Sequence, residues 1–192
     1  QFNFGYGAGG LPMLSPDGAA VAFSATDANG KAMLWVRSFD SLTGHPLPGT
    51  EGGTWPMWSP DSRRLLIWFS AEGKLKTLEL SGGPARVVAD APASGGGSWN
   101  REGTLLFVPD FTKGLLYQVA ASGGAPVLVL ELDKSKYLYS YGPKFLPDGK
   151  HFLYYVDAYD PAYKGTYFAS LDGKENRLLL KGAKTVRYGS GY

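Results

Sequence analysis

The chain has 192 residues, 44% hydrophobic and 14% aromatic, with 19 basic against 17 acidic side chains and no cysteine. That composition can pack a core, and it excludes a disordered chain, a disulfide scaffold and thiolate metal centres. A net charge of only +2 leaves no basic excess for a phosphate backbone, so nucleic acid is not an expected partner.

Residues 1–10, Gln-Phe-Asn-Phe-Gly-Tyr-Gly-Ala-Gly-Gly, form a glycine-rich leading segment. Gly5, Gly7 and Gly10 match G-x-G-x-x-G by spacing, but Pro12 and Pro16 follow and forbid the helix a dinucleotide pyrophosphate would need. A first repeat covers about 11–50, with strands expected near Leu11–Leu14, Ala20–Ala25, Met33–Phe39 and Pro46–Leu47. Its link Asp27-Ala28-Asn29-Gly30 predicts a hairpin, because Asn-Gly tolerates positive φ at both central positions. A second repeat, about 54–90, places strands near Trp55–Trp58, Leu65–Phe69, Leu75–Leu80 and Arg86–Val88, the last two joined by Ser81-Gly82-Gly83-Pro84.

A third repeat, about 97–132, predicts strands at Ser98-Trp99, Leu105–Val108, Leu115–Val119 and Val127–Leu130. Its link Ser122-Gly123-Gly124-Ala125-Pro126 copies that of the second repeat at a spacing of 41. The fourth, about 141–181, predicts strands at Tyr141–Phe145, Phe152–Val156, Thr166–Ser170 and Arg177–Leu180, with Asp172-Gly173 as its last turn. Residues 185–192 read as the start of a fifth. No window sustains a 3.6-residue apolar period, so no helix is expected. No apolar run reaches the ~18–20 residues of a membrane span, so this segment is not expected to insert in a bilayer.

The repeats are anchored by one motif. Ser15-Pro16-Asp17-Gly18, Ser59-Pro60-Asp61-Ser62 and Leu146-Pro147-Asp148-Gly149 each precede an apolar strand, and Asn100-Arg101-Glu102-Gly103 is a worn copy. Proline pre-sets φ at the second turn position, and aspartate at the third bonds nearby backbone. Taking Gly18, Ser62, Gly103 and Gly149 as equivalent gives spacings of 44, 41 and 46. A period of about 40–50 built from short strands is the signature of propeller blades. The expected fold is all-β, a β-propeller of four-stranded antiparallel blades.

These turns, the tryptophan or phenylalanine upstream and the Gly-Gly-x-Pro link resemble the WD40-like PD40 repeats of TolB-type β-propellers. Within that group the chain is similar to the propeller regions of bacterial membrane serine/threonine protein kinases and related exported proteins. The segments from Leu34 to Leu42, Pro46 to Gly52 and Phe145 to Tyr154 carry the likeness, which spans residues 11–192. It implies more than four blades, so the chain is expected to be a partial propeller whose ring is completed by further blades or by self-association. It also implies a periplasmic or extracellular location. The start at Gln1, without a signal-like segment, reads as mature or truncated.

The recurring carboxylates Asp17, Asp61 and Asp148 are read as turn formers, since copies in neighbouring blades should stand well over ~10 Å apart. His45 and His151 are too few for a zinc cluster, and no G-x-S-x-G marks a nucleophile elbow. Asp157 and Asp160 lack the further oxygens of a calcium loop. No catalytic residue, metal or cofactor is therefore expected. For most of Trp35, Trp55, Trp58, Trp68 and Trp99 the first reading is blade core, and Phe23, Phe69, Phe107 and Tyr154 are read as equivalent buried positions on successive second strands.

Eight of twelve tyrosines fall in 137–167, where the connections Glu131–Ser140 and Asp157–Gly165 are long. Tyr137, Tyr139, Tyr159 and Tyr163 are accordingly candidate contacts for a protein or small-molecule ligand. The leading functional expectation is a non-catalytic interaction or sensor module. The alternatives are the gating propeller of a larger enzyme, such as a prolyl-oligopeptidase-like serine peptidase, and a self-assembling structural subunit.

Overall fold

The computed structural model describes residues 12–27 and 29–183. The leading segment, Leu11, Ala28 and the expected fifth repeat lie outside the described residues. Among the described residues, sixteen strands form four antiparallel four-stranded sheets, each in simple sequence order. The first sheet holds β1 (Met13–Leu14), β2 (Ala20–Thr26), β3 (Ala32–Ser38) and β4 (His45–Pro46). The second holds β5 (Gly53–Trp58), β6 (Arg64–Phe69), β7 (Lys74–Glu79) and β8 (Arg86–Asp90). The third holds β9 (Gly97–Trp99), β10 (Thr104–Phe107), β11 (Leu115–Ala120) and β12 (Val127–Glu131). The fourth holds β13 (Tyr137–Phe145), β14 (His151–Ala158), β15 (Gly165–Ser170) and β16 (Asn176–Lys181). The chain divides into two compact units, one carrying the first two sheets and the other the last two.

Within each unit the second strands obey one parity rule. Counting from the residue that closes the preceding turn (Ala20, Arg64, Thr104 or His151), even offsets on β2 and β10 and odd offsets on β6 and β14 face the other sheet of the same unit. In the first unit Ala22 meets Leu65, Ile67 and Phe69, with Leu34, Trp58 and Leu78 completing the buried cluster. In the second, Leu106 and Val108 meet Phe152, Tyr154 and Val156, with Leu116 and Tyr167 beside them. Side chains alternate across a strand, so a sheet packed on both faces must be apolar at every position of its central strands. Leu65, Leu66 and Ile67 run without a polar break and are all fully buried.

Phe23, Phe69, Phe107 and Tyr154 are all buried, as the sequence predicts. Their equivalence needs one correction. The residue three places along β6 is Ile67, and Phe69 lies two further on, on the same face. Ile67 follows Ser62 by the same five residues that separate Phe23 from Gly18 and Tyr154 from Gly149. The Asp27–Gly30 link joins β2 and β3 as the predicted hairpin, with Thr26 paired to Ala32 and Gly30 at φ 80°. Asp27 also holds the link, its Oδ1 accepting the Asn29 and Lys31 N–H groups at 2.9 and 2.8 Å. In the fourth sheet β13 begins at Tyr137, so much of the expected 131–140 loop is strand.

Candidate functional site

Each sheet has two ends. One carries the turns from first to second strand, and the other carries the links from second to third strand and between sheets. At the turn end each recurring aspartate accepts local hydrogen bonds at its Oδ1. The Ser15 hydroxyl donates to Asp17 Oδ1 at 2.5 Å and accepts the Ala20 N–H at 2.9 Å, while Asp17 Oδ1 also accepts the Ala19 N–H. Ser59, Asp61, Arg63 and Arg64 repeat the arrangement, as do Ser170, Asp172, Lys174 and Glu175. Hydrogen bonds to the charged form stabilise it. The Ser15 and Ser59 hydroxyls accordingly lower the Asp17 and Asp61 carboxyls, and Ser170 draws Asp172 down to about 2.

In the fourth sheet Leu146 stands where the serine would be, and His151 takes over. Its Nδ1 lies 2.5 Å from Asp148 Oδ2, and Asp148 Oδ1 accepts the Lys150 and His151 N–H groups. The histidine, first, and these backbone donors hold the Asp148 carboxyl at about 2. A cleft of about 340 Å³ opens beside it, lined by Lys150, His151, Ser170, Asp172 and Lys174 among others. Its polar groups are largely spent on one another, since Lys174 pairs with Asp172 and Ser170 closes its own turn. His45 lies on exposed β4. Among the described residues, no group of three or more His, Asp or Glu side chains is placed to hold a metal.

Neighbouring turns stand closer than sheet spacing predicts. Within the first unit the Asp17 N–H donates to Ser62 Oγ at 3.1 Å, and within the second Asn100 Nδ2 donates to the Gly149 carbonyl at 3.0 Å. The cause is that sheets approach one another most closely at their first strands, where Trp58 Nε1 reaches the Met13 carbonyl at 2.8 Å and Ser98 Oγ accepts the Phe145 N–H at 3.1 Å.

At the link end of the fourth sheet the two long connections lie together, because the Tyr159 N–H donates to the Lys136 carbonyl at 3.3 Å. The candidate tyrosines divide between the two faces of the sheet. β13 is bulged at Leu138, so Tyr137 pairs with Ala158 while Tyr139 pairs with Asp157. A one-residue bulge sends residues two apart in sequence to opposite faces. Tyr137 therefore joins the buried face, edge-on to Tyr167 at 6.1 Å and to Tyr163 at 6.0 Å. Tyr139 lies on the other face, among Phe111, Tyr141 and, through Tyr141, Tyr155. Tyr159 is 69% exposed and Tyr163 37%. Lys136 Nζ sits 5.7 Å from the Tyr163 ring, and the Tyr163 carbonyl accepts the Tyr167 hydroxyl at 2.8 Å. Burial raises the Tyr141 and Tyr167 hydroxyls above their ordinary value.

Trp55 is the residue that the sequence reading misassigned. Trp58 and Trp99 are buried and Trp35 and Trp68 partly so, but Trp55 is 53% exposed. It sits in a bulge of β5 with φ +54°, a left-handed conformation that costs an L-residue roughly 1–2 kcal/mol. The following Pro56 restricts it further. Its equivalents in the third and fourth sheets are Gly96 and Gly142, with φ +88° and +58°. Aligning Trp55-Pro56 with Gly142-Pro143 in the sequence would have exposed the anomaly.

The sheets also have relatives of known structure. A TolB-type protein from Agrobacterium tumefaciens superposes with a TM-score of 0.71 at 15% identity, over 85% of this chain and 62% of that one. TolB from Acinetobacter baumannii gives 0.67 at 16%, over 87% and 42%. These sheets are blades of a TolB-like β-propeller. The propeller domain of the Trilobed protease from Pyrococcus furiosus has the same fold, with a TM-score of 0.63 at 20% identity over 91% and 59%. No family model matches the chain. By sequence, 92 residues are 32% identical to Uncharacterized peptidase YuxL of Bacillus subtilis, and 106 residues are 33% identical to Uncharacterized protein Atu1656 of Agrobacterium fabrum. The matched regions cover 42% and 52% of this chain but 14% and 34% of those two proteins. Among the described residues, no helix is long and apolar enough to cross a membrane.

Proposed function

We propose that the chain belongs to a non-catalytic recognition propeller, acting outside the cytoplasm, that binds a protein or small ligand at the link end of its fourth blade. The observation that carries this reading is the exposure of Tyr159 and Tyr163 on the Asp157–Gly165 connection, with Tyr137 edge-on behind Tyr163 and Lys136, from the connection joined to it, beside that ring. Tyrosine presents large area with a polar tip at low entropic cost, and loops on a rigid scaffold are where recognition residues concentrate. Tyr139 contributes from the opposite face by fixing β13 against Phe111. The aspartates of the turn end serve the fold, since each carboxylate accepts hydrogen bonds from its own turn.

The test is 19F NMR on the full-length protein labelled with 3-fluorotyrosine, titrated with peptide and metabolite panels. A ligand is expected to shift the Tyr159 and Tyr163 resonances and to lose at least tenfold in affinity in a Tyr159→Ser/Tyr163→Ser variant. Binding that the double variant leaves unchanged overturns the site.

A second reading, the gating propeller of a serine peptidase, is favoured by the identity shared with the Bacillus peptidase and by the likeness to the protease propeller. Labelling of the full-length protein by a fluorophosphonate at a serine outside residues 1–192, with turnover of a chromogenic peptide, would replace the first reading by this one.

A further inference from the structure

We propose that Tyr154, Tyr167, Tyr137 and Tyr163 form a radical relay, a row of phenols that passes an oxidising equivalent from the core of the fourth sheet to the surface. The inference concerns the second unit alone and does not rest on a ligand at the link end. The four rings follow one another at centroid separations of 5.6, 6.1 and 6.0 Å. Exposure rises along the row, from 1% at Tyr154 and 5% at Tyr167, through partly buried Tyr137, to 37% at Tyr163. Packing does not require phenols here. Ile67 holds the place of Tyr154 in the second sheet, and a buried hydroxyl is a cost unless it is hydrogen-bonded. Each hydroxyl of the interior rings is given a partner. That of Tyr154 donates to Asn176 Oδ1 at 2.8 Å, that of Tyr167 donates to the Tyr163 carbonyl at 2.8 Å, and the Tyr137 hydroxyl meets that of Tyr167.

The chemistry follows from the side chain. A phenol can give up a single electron to a strong oxidant, and it releases its proton as it does so. Burial raises the Tyr154 and Tyr167 hydroxyls, so both are neutral phenols and the proton must move with the electron. A small peroxyl radical that takes the hydrogen atom of Tyr154 becomes a hydroperoxide and leaves a phenoxyl. In each later step the outer phenol gives up an electron and a proton, the inner phenoxyl takes up both, and the radical has moved one ring outward. The contact between the Tyr137 and Tyr167 hydroxyls gives the middle step a direct path for the proton. A reductant in solution restores the hydrogen atom at Tyr163. Residues 93–192 contain neither cysteine nor methionine, the side chains that would otherwise take up the oxidation. Tyr139, Tyr141 and Tyr155 make a separate row on the opposite face of the sheet.

The experiment places 3-aminotyrosine at position 154 of the full-length protein, because its radical is more stable than that of tyrosine and distinct by electron paramagnetic resonance. Photogenerated tris(bipyridine)ruthenium(III), too large and too charged to enter the core, oxidises surface phenols, and the radical is located in the frozen sample. The relay is expected to bring it to position 154, electrons moving outward through the row. Its yield is expected to fall at least tenfold in Tyr137→Phe and in Tyr167→Phe, and to be unchanged in Tyr141→Phe, with melting curves showing that each protein is folded. The same trap at position 167, set against Tyr137→Phe alone, carries the test if the amino group does not fit at 154. No radical at either trap, or a yield that Tyr137→Phe leaves unchanged, assigns the rings to packing and overturns the proposal. A loss in Tyr141→Phe as large as that in Tyr137→Phe overturns it too.

Discussion

In the first unit both turns joining first and second strands are closed by a serine and an aspartate two residues apart; in the second unit neither is. Ser15 with Asp17 and Ser59 with Asp61 form local closures, each hydroxyl giving its proton to the carboxylate and accepting a backbone N–H five residues on. Asn100 replaces the serine in the third sheet. Its Oδ1 accepts the Thr104 N–H at 2.7 Å, and its Nδ2 reaches across to the Gly149 carbonyl. In the fourth sheet the carboxylate of Asp148 is met by an imidazole. The cores differ in the same sense. The first unit packs Leu65, Ile67 and Phe69 on Ala22 and Leu34, whereas the second packs rings, with Phe152 5.8 Å and Tyr167 5.6 Å from Tyr154. Neighbouring turns are joined in both units, by Asp17 and Ser62 in the first and by Asn100 and Gly149 in the second, but only in the second does the side chain that closes a turn also make the bond between sheets.

The core substitutions should have the largest effect. Phe69→Ala in the first unit and Tyr154→Ala in the second should each cost about 3–5 kcal/mol in urea unfolding, the range for deleting a buried ring. Tyr154→Phe separates ring from hydroxyl. It removes only the 2.8 Å bond to Asn176 Oδ1 and should cost about 1 kcal/mol. A loss below about 1 kcal/mol for Phe69→Ala would mean that the odd-offset face of β6 is not packed against the first sheet.

The turns come next. Ser59→Ala removes a local closure and should cost about 1 kcal/mol, whereas Asn100→Ala leaves a buried Thr104–Gly149 pair of backbone groups without their side-chain partner and should cost about 2 kcal/mol. Equal losses would show that the bond to Gly149 adds nothing between sheets, and the contrast between the units would collapse to one of spelling.

How far these features were legible in the sequence follows from their range. The strands and turns were legible because apolar runs, Ser-Pro-Asp and Gly-Gly-Pro act over a few residues, and sheet order follows from short antiparallel links. Asn100 was readable only as a damaged turn, since its partner lies 49 residues away in a copy of the same motif. The tyrosines were legible as a concentration but not as an arrangement. A single bulge at Leu138 decides which face each ring takes, and no residue pattern in 137–141 marks it. Trp55 was hidden by its type, because a tryptophan inside a strand is ordinarily core, and only the match of Trp55-Pro56 to Gly142-Pro143 hints at the left-handed φ it takes.

The smallest effect is the one that separates the imidazole closure from the hydroxyl closures. Asp148 is held at about 2 against an ordinary 3.8, so its folded-state pKa is depressed. The stabilisation is then complete above 3.8 and is lost as the pH falls through that value towards about 2. Asp61 shares the sign, through Ser59, so acid should weaken both turns. What differs is the donor. His151→Phe keeps a ring to stack on Phe168, now 5.0 Å away, but removes the largest cause of the Asp148 depression. The difference in urea midpoint between about pH 5 and about pH 2 should shrink in that variant. Because the Asp148 side chain is 48% exposed, solvent screening keeps the change below about 1 kcal/mol. Ser59→Ala should remove the Asp61 share in the same way and leave the Asp148 share intact, so the two losses should add. If His151→Phe leaves the acid slope unchanged, the backbone N–H groups of Lys150 and His151 hold Asp148 by themselves, and the fourth turn closes locally like those of the first unit.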